Sequence, residues 1–134
     1  MKAALFSIAC LIFAAGGGGS QAEAGHYSTW TARGPYHYSH YYYSPTRYHY
    51  VVSFPSQPRY LYFFNPHSRL YWGRFDREGK PGAEFSTLSE NDRREHLSEI
   101  QETAFPKPGK IPSIPDSDND DPIDPPPAPP EVEK

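Results

Sequence analysis

Residues 48–75 form the one long segment in which apolar side chains alternate and the breaks carry turn-forming residues. A period of two is typical of a half-buried β-strand. The two breaks contain proline together with Ser, Gln, Asn or His, as hairpin loops and turns prefer. The segment therefore predicts three antiparallel strands, which lie within residues 48–54, 59–64 and 69–75.

The loop lengths predict a register for these strands. If each loop has four residues, Phe54 faces Arg59 and Phe64 faces Arg69. One apolar face then carries Tyr48, Tyr50, Val52, Phe54, Leu61, Phe63, Leu70 and Trp72. The opposite, aromatic-polar face carries His49, Ser53, Tyr60, Tyr62, Phe64, Tyr71 and Gly73. Because a slip by one residue would mix the two sets, their separation supports this register.

A sheet of three strands needs another element to cover its apolar face. Thr87 and Ser89 each fit a capping pattern with an acidic residue three positions later. We expect a helix over about residues 90–100, with Leu97 and Ile100 as its narrow apolar stripe. The predicted fold is small and mainly β, namely a three-stranded antiparallel meander plus one short helix, within residues 46–105.

The flanks of this module differ from it in composition. Residues 25–45 are crowded with Tyr and His and predict a flexible arm, with an edge strand over residues 36–43 as the alternative. Residues 106–134 are rich in proline and acid, and they predict a disordered tail that carries no core. Residues 25–75 contain five arginines and no carboxylate, whereas acidic residues dominate afterwards.

The first 24 residues have the pattern of a secretory signal peptide. Lys2 precedes the apolar run of residues 3–15, and Ala22-Glu23-Ala24 fits a small-residue cleavage site. The run is shorter than the roughly 20 residues that a membrane span needs. We expect cleavage after Ala24, or earlier among residues 14–19, and no stable membrane span. The predicted location is extracellular, periplasmic or in the cell envelope.

Removal of this leader excludes several chemistries. Cys10 is the only cysteine and leaves with the leader, so the mature chain has no disulfide, thiolate metal site or catalytic cysteine. Residues 25–75 offer no carboxylate to orient a histidine, and no phosphate loop or dinucleotide motif is present. We therefore expect a non-enzymatic structural or interaction protein that uses no cofactor.

The aromatic-polar face is the candidate contact surface. Aromatic rings interspersed with arginine can stack on sugars or on other flat groups. We assign binding to Tyr60, Tyr62, Phe64 and Tyr71. The expected partner is an envelope or extracellular polymer, or a proline-rich peptide such as the chain's own tail. Export and the small number of arginines argue against nucleic acid.

A metal-binding function is the alternative. Imidazole is a good ligand for zinc, copper and nickel, and His37, His40 and His49 lie in a His-rich part of the chain. Two histidines three positions apart, here His37 and His40, can meet on one ion. No carboxylate or cysteine lies nearby in sequence to complete the ligand shell.

Two resemblances to known families rest on the meander. Tyr62-Phe63-Phe64-Asn65 followed by Tyr71-Trp72 resembles the second and third strands of a WW domain, which implies binding of proline-rich ligands. The core of residues 62–74, the segment of residues 104–109 and the proline-rich end resemble small secreted Tyr- and Pro-rich proteins of planctomycete-type bacteria. That second resemblance implies export and brings no activity, cofactor or site residues.

Overall fold

The strands of the protein form one antiparallel sheet. The computed structural model describes residues 25–115, 117 and 121–130. Their strands are β1 (His26–Tyr27), β2 (Thr31–Arg33), β3 (Tyr36–Tyr42), β4 (Tyr48–Ser53), β5 (Tyr60–Asn65), β6 (Leu70–Lys80) and β7 (Ala83–Thr87). The sheet order is β1-β3-β4-β5-β6-β7, and β2 pairs with the other end of β3. The mainly β prediction is confirmed, but the three-strand meander is only the centre of a seven-stranded sheet.

The predicted signal peptide lies outside the described residues. So do residues 116, 118–120 and 131–134 of the predicted tail. Within the part of the chain that the structure describes, no helix is long and apolar enough to cross a membrane.

The register predicted for β4 and β5 is wrong by one residue. Val51 faces Phe63 and Ser53 faces Leu61, because Arg59 belongs to the loop rather than to β5. The side chains of β4 are therefore reversed relative to the prediction. His49, Val51 and Ser53 are buried in the core, and the tyrosines on either side of His49 lie on the opposite face.

The turn between β5 and β6 also begins one residue later than predicted. Asn65 pairs with Leu70, and the Asn65 side chain accepts a hydrogen bond from the His67 amide at 2.8 Å. Arg69 closes the turn with a left-handed φ of 63°. A bulge follows, in which Trp72 is the extra residue, so that the pairing shifts within β6. The predicted pairing of Phe64 with Arg69 does not occur.

The N-terminal segment is part of the sheet and not a flexible arm. β3 pairs with β4 from His37 to Tyr42, and its alternate residues Ser39 and Tyr41 are buried. Gly34 has a φ of 59° and lies in the tight turn between β2 and β3, where a left-handed backbone favours glycine. The edge-strand alternative for residues 36–43 was therefore closer to the structure than the arm.

The helix predicted over residues 90–100 does not form. Three separate 3₁₀ turns, Glu90–Asp92, Leu97–Glu99 and Glu102–Ala104, occupy this region, and none of them buries a residue. Ser89 makes no side-chain capping bond. Two apolar residues give too narrow a stripe to hold a helix against the sheet. The segment follows β6 instead, and the Tyr71 amide donates to the Arg94 carbonyl at 2.8 Å.

The tail supplies the cover that the helix was expected to give. Ile114 and Ile123 are 4% and 3% exposed and belong to the cluster around Phe63, Trp72 and Phe85. The Ile123 amide donates to the Pro112 carbonyl at 2.9 Å, which folds the tail back on itself. The prediction of a tail without core residues is therefore wrong for its described part. The tail packs on one face of the sheet and leaves the other open.

We expect Gly73→Ala to destabilise the fold. A Cβ at this position would lie 2.5 Å from Cε1 of Phe85, whose ring is itself fixed against Phe63 and Trp72. Overpacking of this kind costs about 1–3 kcal/mol. Thermal unfolding measures the loss, and Gly109→Ala is the matched control because nothing lies within 4 Å of its Cβ. Equal melting temperatures for the two variants would contradict the packing described here.

The contribution of the tail has a separate test. Ile123→Ala removes buried methyl groups and should lower the free energy of unfolding by about 2–5 kcal/mol, measured by denaturant titration. Pro127→Ala, an exposed substitution in the same tail, should leave the midpoint unchanged. If the two substitutions have the same small effect, the tail does not cover the core.

Candidate functional site

Aromatic side chains cover the face of the sheet that the tail leaves open. Alternate residues of β3, β4, β5 and β6 point to this side because successive side chains of a strand point to opposite faces. We call it the open face, and its central rings are Tyr36, Tyr38, His40, Tyr42, Tyr48, Tyr50, Phe64 and Tyr71. The rings contact one another across the strands. The centroid distances are 5.7 Å for Tyr38–Tyr50, 6.4 Å for Tyr50–Phe64 and 4.8 Å for Phe64–Tyr71.

Part of the open face is concave. A cavity of about 790 Å³ lies there, in the range of about 300–1,000 Å³ that ligand pockets usually have. We call it the aromatic groove. Its lining consists of Arg33, Tyr36, Tyr38, Tyr50, Val52, Phe64, Pro66, Arg69, Tyr71, Glu95 and His96. Four neighbouring strands supply the aromatic floor, so its rings are held at fixed spacing by the sheet.

The rim of the groove carries charge of both signs. Arg69 donates to the Glu95 carboxylate at 2.7 Å, and this ion pair neutralises both groups at the surface. Arg33, at the opposite strand edge, is exposed and makes no ion pair with any described residue. The lining as a whole therefore carries one excess positive charge, which Arg33 supplies.

Two phenols of the groove, those of Tyr50 and Tyr71, stay neutral over the physiological range. Burial raises the pKa of Tyr71 to about 12, with a smaller effect from Tyr36. Burial, followed by a hydrogen bond with Tyr48, raises the pKa of Tyr50 to about 12. These hydroxyls can therefore donate or accept hydrogen bonds without adding negative charge.

A stacked arginine covers the far end of the open face. Arg74 lies between the rings of Tyr60 and Phe105, with its guanidinium carbon 3.9 Å and 4.1 Å from their centroids. It also donates to both carboxylate oxygens of Glu102, at 2.9 Å and 2.7 Å. These hydrogen bonds lower the pKa of the Glu102 carboxyl. The arrangement holds Phe105 over Tyr62, which is only 8% exposed.

The four predicted binding residues share the open face but fall into two groups. Phe64 and Tyr71 line the aromatic groove. Tyr60 and Tyr62 lie outside it, against Arg74 and Phe105. The sequence prediction missed Tyr36, Tyr38 and Tyr50, because it assigned β3 to an arm and reversed β4. Alternation of Tyr and His over residues 36–42 was the pattern that could have revealed them.

The described part of the tail does not occupy the aromatic groove. Its buried isoleucines pack in the core, and the tyrosines that hold it are Tyr27 and Tyr41. The Tyr27 hydroxyl donates to the Asp124 carbonyl, and the Asp124 amide donates to the Tyr41 hydroxyl at 3.4 Å. A contact between tail and tyrosines thus exists, but at residues other than the predicted Tyr62 and Tyr71.

The three candidate metal ligands lie on different faces of the sheet. His37 and His49 face the core side, whereas His40 lies on the open face, since residues three apart in a strand point in opposite directions. The His49 ring is fully buried and accepts a hydrogen bond from the Trp72 indole at 2.9 Å. Burial lowers the pKa of His40. Among the described residues, no group of three His, Cys, Asp or Glu side chains could hold a metal ion.

Comparisons with known proteins give no relative for this chain. No protein-family model, no curated protein and no solved structure matches it. The function must therefore be argued from the groove itself.

The burial of the groove phenols has a measurable consequence. Between the ordinary tyrosine pKa near 10 and the value near 12, the unfolded chain loses the protons of Tyr50 and Tyr71 while the folded chain keeps them. The free energy of unfolding should therefore fall as pH rises through this window. Carbon NMR of labelled tyrosine should show Tyr50 and Tyr71 among the late-titrating phenols, together with the buried Tyr27, Tyr41 and Tyr62, and Tyr71→Phe should remove one of these signals. In denaturant, all tyrosines should titrate near 10. If Tyr71→Phe instead removes a signal that titrates near 10 from the spectrum of the folded protein, the raised pKa of Tyr71 is refuted.

Proposed function

We propose that the chain is an exported, non-enzymatic binding module that holds a polysaccharide of the cell envelope or extracellular space in the aromatic groove. The observation that carries this proposal is the convergence of Tyr36, Tyr38, Tyr50, Phe64 and Tyr71 around one cavity of about 790 Å³. An open groove with a fixed aromatic floor suits an extended polymer with flat apolar faces.

The chemistry of the lining favours a sugar chain. The C–H face of a pyranose ring is apolar and packs against an aromatic ring, while its hydroxyls project from the ring edge. Neutral phenols at Tyr50 and Tyr71 can hydrogen-bond those hydroxyls. The ion pair of Arg69 and Glu95 offers further donors and acceptors at the rim. A proline-rich peptide would also stack on the floor but would leave most of these polar groups unused.

The same lining supports a binding role rather than hydrolysis. Glycoside hydrolysis uses two carboxyl groups on either side of the scissile bond. Glu95 is the single carboxylate in the groove lining, and Arg69 pairs with it at 2.7 Å. The described groove thus lacks a second carboxylate for acid–base work. The leader pattern of residues 1–24 supports an exported location, where such polymers occur.

Substitution of one floor residue tests the proposal. Tyr38→Ala should weaken binding of a short oligosaccharide about tenfold, because the loss of one stacked ring costs about 1–3 kcal/mol. The control is Tyr42→Ala, which removes a ring from the same face outside the groove lining. Chemical shifts of the groove residues, recorded during titration with cellulose-, chitin- and pectin-derived oligosaccharides, measure the affinity. If no sugar shifts these resonances saturably, the proposal fails.

A further inference from the structure

Arg33 occupies a constrained position at the edge of the aromatic groove. It is the last residue of β2 and pairs with Tyr36, the first residue of β3, across the tight turn that contains Gly34. This hairpin fixes the backbone of Arg33 beside the floor of the groove. Arg33 and Tyr50 both line the groove, and the positive charge of Arg33 opposes the upward shift of the Tyr50 pKa.

No described carboxylate pairs with the guanidinium of Arg33, whereas three other arginines each pair with one. Arg59 pairs with Asp76 at 2.9 Å, Arg69 with Glu95 at 2.7 Å, and Arg74 with Glu102 at 2.7 Å. Arg33 has no such partner among the described residues. A guanidinium that projects beside a neutral aromatic floor is complementary to an acid group on a stacked ligand, because its planar fork binds two oxygens of a carboxylate or sulfate.

We propose that the polymer in the aromatic groove is an acidic polysaccharide and that Arg33 pairs with an acid group of a bound sugar while Tyr38 and Tyr50 stack on the chain. This inference rests on the proposed function and adds the charge of the ligand to it. The acid group is a carboxylate, as in a uronic acid, or a sulfate ester, since both present paired oxygens to a guanidinium.

The test compares two ligands with the same sugar backbone, one charged and one neutral. Oligogalacturonate and its methyl ester have the same sugar backbone, but the ester is neutral. The wild-type chain should bind the acid about tenfold more tightly than the ester, as expected for one charge-assisted hydrogen-bonded pair. Arg33→Gln should remove this preference by weakening binding of the acid far more than binding of the ester. Because Arg33 is exposed, the variant should keep the wild-type amide spectrum.

Two controls separate the paired contact from general attraction. Arg77→Gln removes an exposed arginine outside the groove lining and should keep the preference for the acid. Arg33→Lys keeps the charge but loses the fork, so it should show a preference between those of the wild type and Arg33→Gln. Added salt should weaken acid binding more in the wild type than in Arg33→Gln. A sulfated oligosaccharide titrated in parallel tells which acid group is preferred.

The outcomes distinguish this inference from the function on which it rests. If acid and ester bind equally, the sulfated oligosaccharide binds no more tightly than the ester, and Tyr38→Ala still weakens binding, the inference is overturned and the polysaccharide-binding function stands. If Arg77→Gln reduces the preference as much as Arg33→Gln does, general charge and not Arg33 selects the ligand, and the inference is again overturned. Absence of saturable binding by any of the oligosaccharides overturns both.

Discussion

The two faces of the sheet depend on the burial of Trp72. Its indole packs against Phe63 and Phe85, with centroid distances of 5.5 Å and 5.3 Å, and donates to His49. Trp72 is the extra residue of a bulge, so it can turn into the core while Tyr71, its neighbour, stays on the open face. In a regular strand, Tyr71 would lie on the same face as Gly73, which is the core side against Phe85. The same bulge therefore completes the core and places the last ring of the aromatic groove.

Stability comes from packing that spans the whole described chain and not from covalent links. The described residues contain no cysteine, and small domains without disulfides need another way to bury enough apolar surface. Here the tail supplies it, since Ile114 and Ile123 close the core that seven strands leave open on one side. One face of the sheet is therefore buried beneath the tail. The other face keeps its rings accessible for a ligand.

The sequence predicted a mainly β fold and two of the five aromatic residues of the groove, Phe64 and Tyr71, and the reasons for the errors are physical. Alternation is clear in β5, where Phe63 is apolar between more exposed positions, so its faces were predicted correctly. In β4, Val51 and Val52 are both apolar, so the pattern does not decide which one faces the core cluster, and the assumed loop length gave the wrong choice. Tyr38 was missed because a Tyr- and His-rich composition resembles an unstructured arm. The role of Ile123 was hidden because an isolated isoleucine between prolines has no periodicity to read.

The position of the tail in the core determines when the chain can fold. The hydrogen bond between Tyr27 and Asp124 joins residues 97 positions apart, and the Ile123 side chain belongs to the same cluster as Tyr41. Contacts at such separation form only after most of the chain is available, and they make folding slow. The core cannot close while the last third of the polypeptide is still being synthesised. The aromatic groove therefore gains its fixed floor only after Ile114 and Ile123 have been synthesised and have packed into the core.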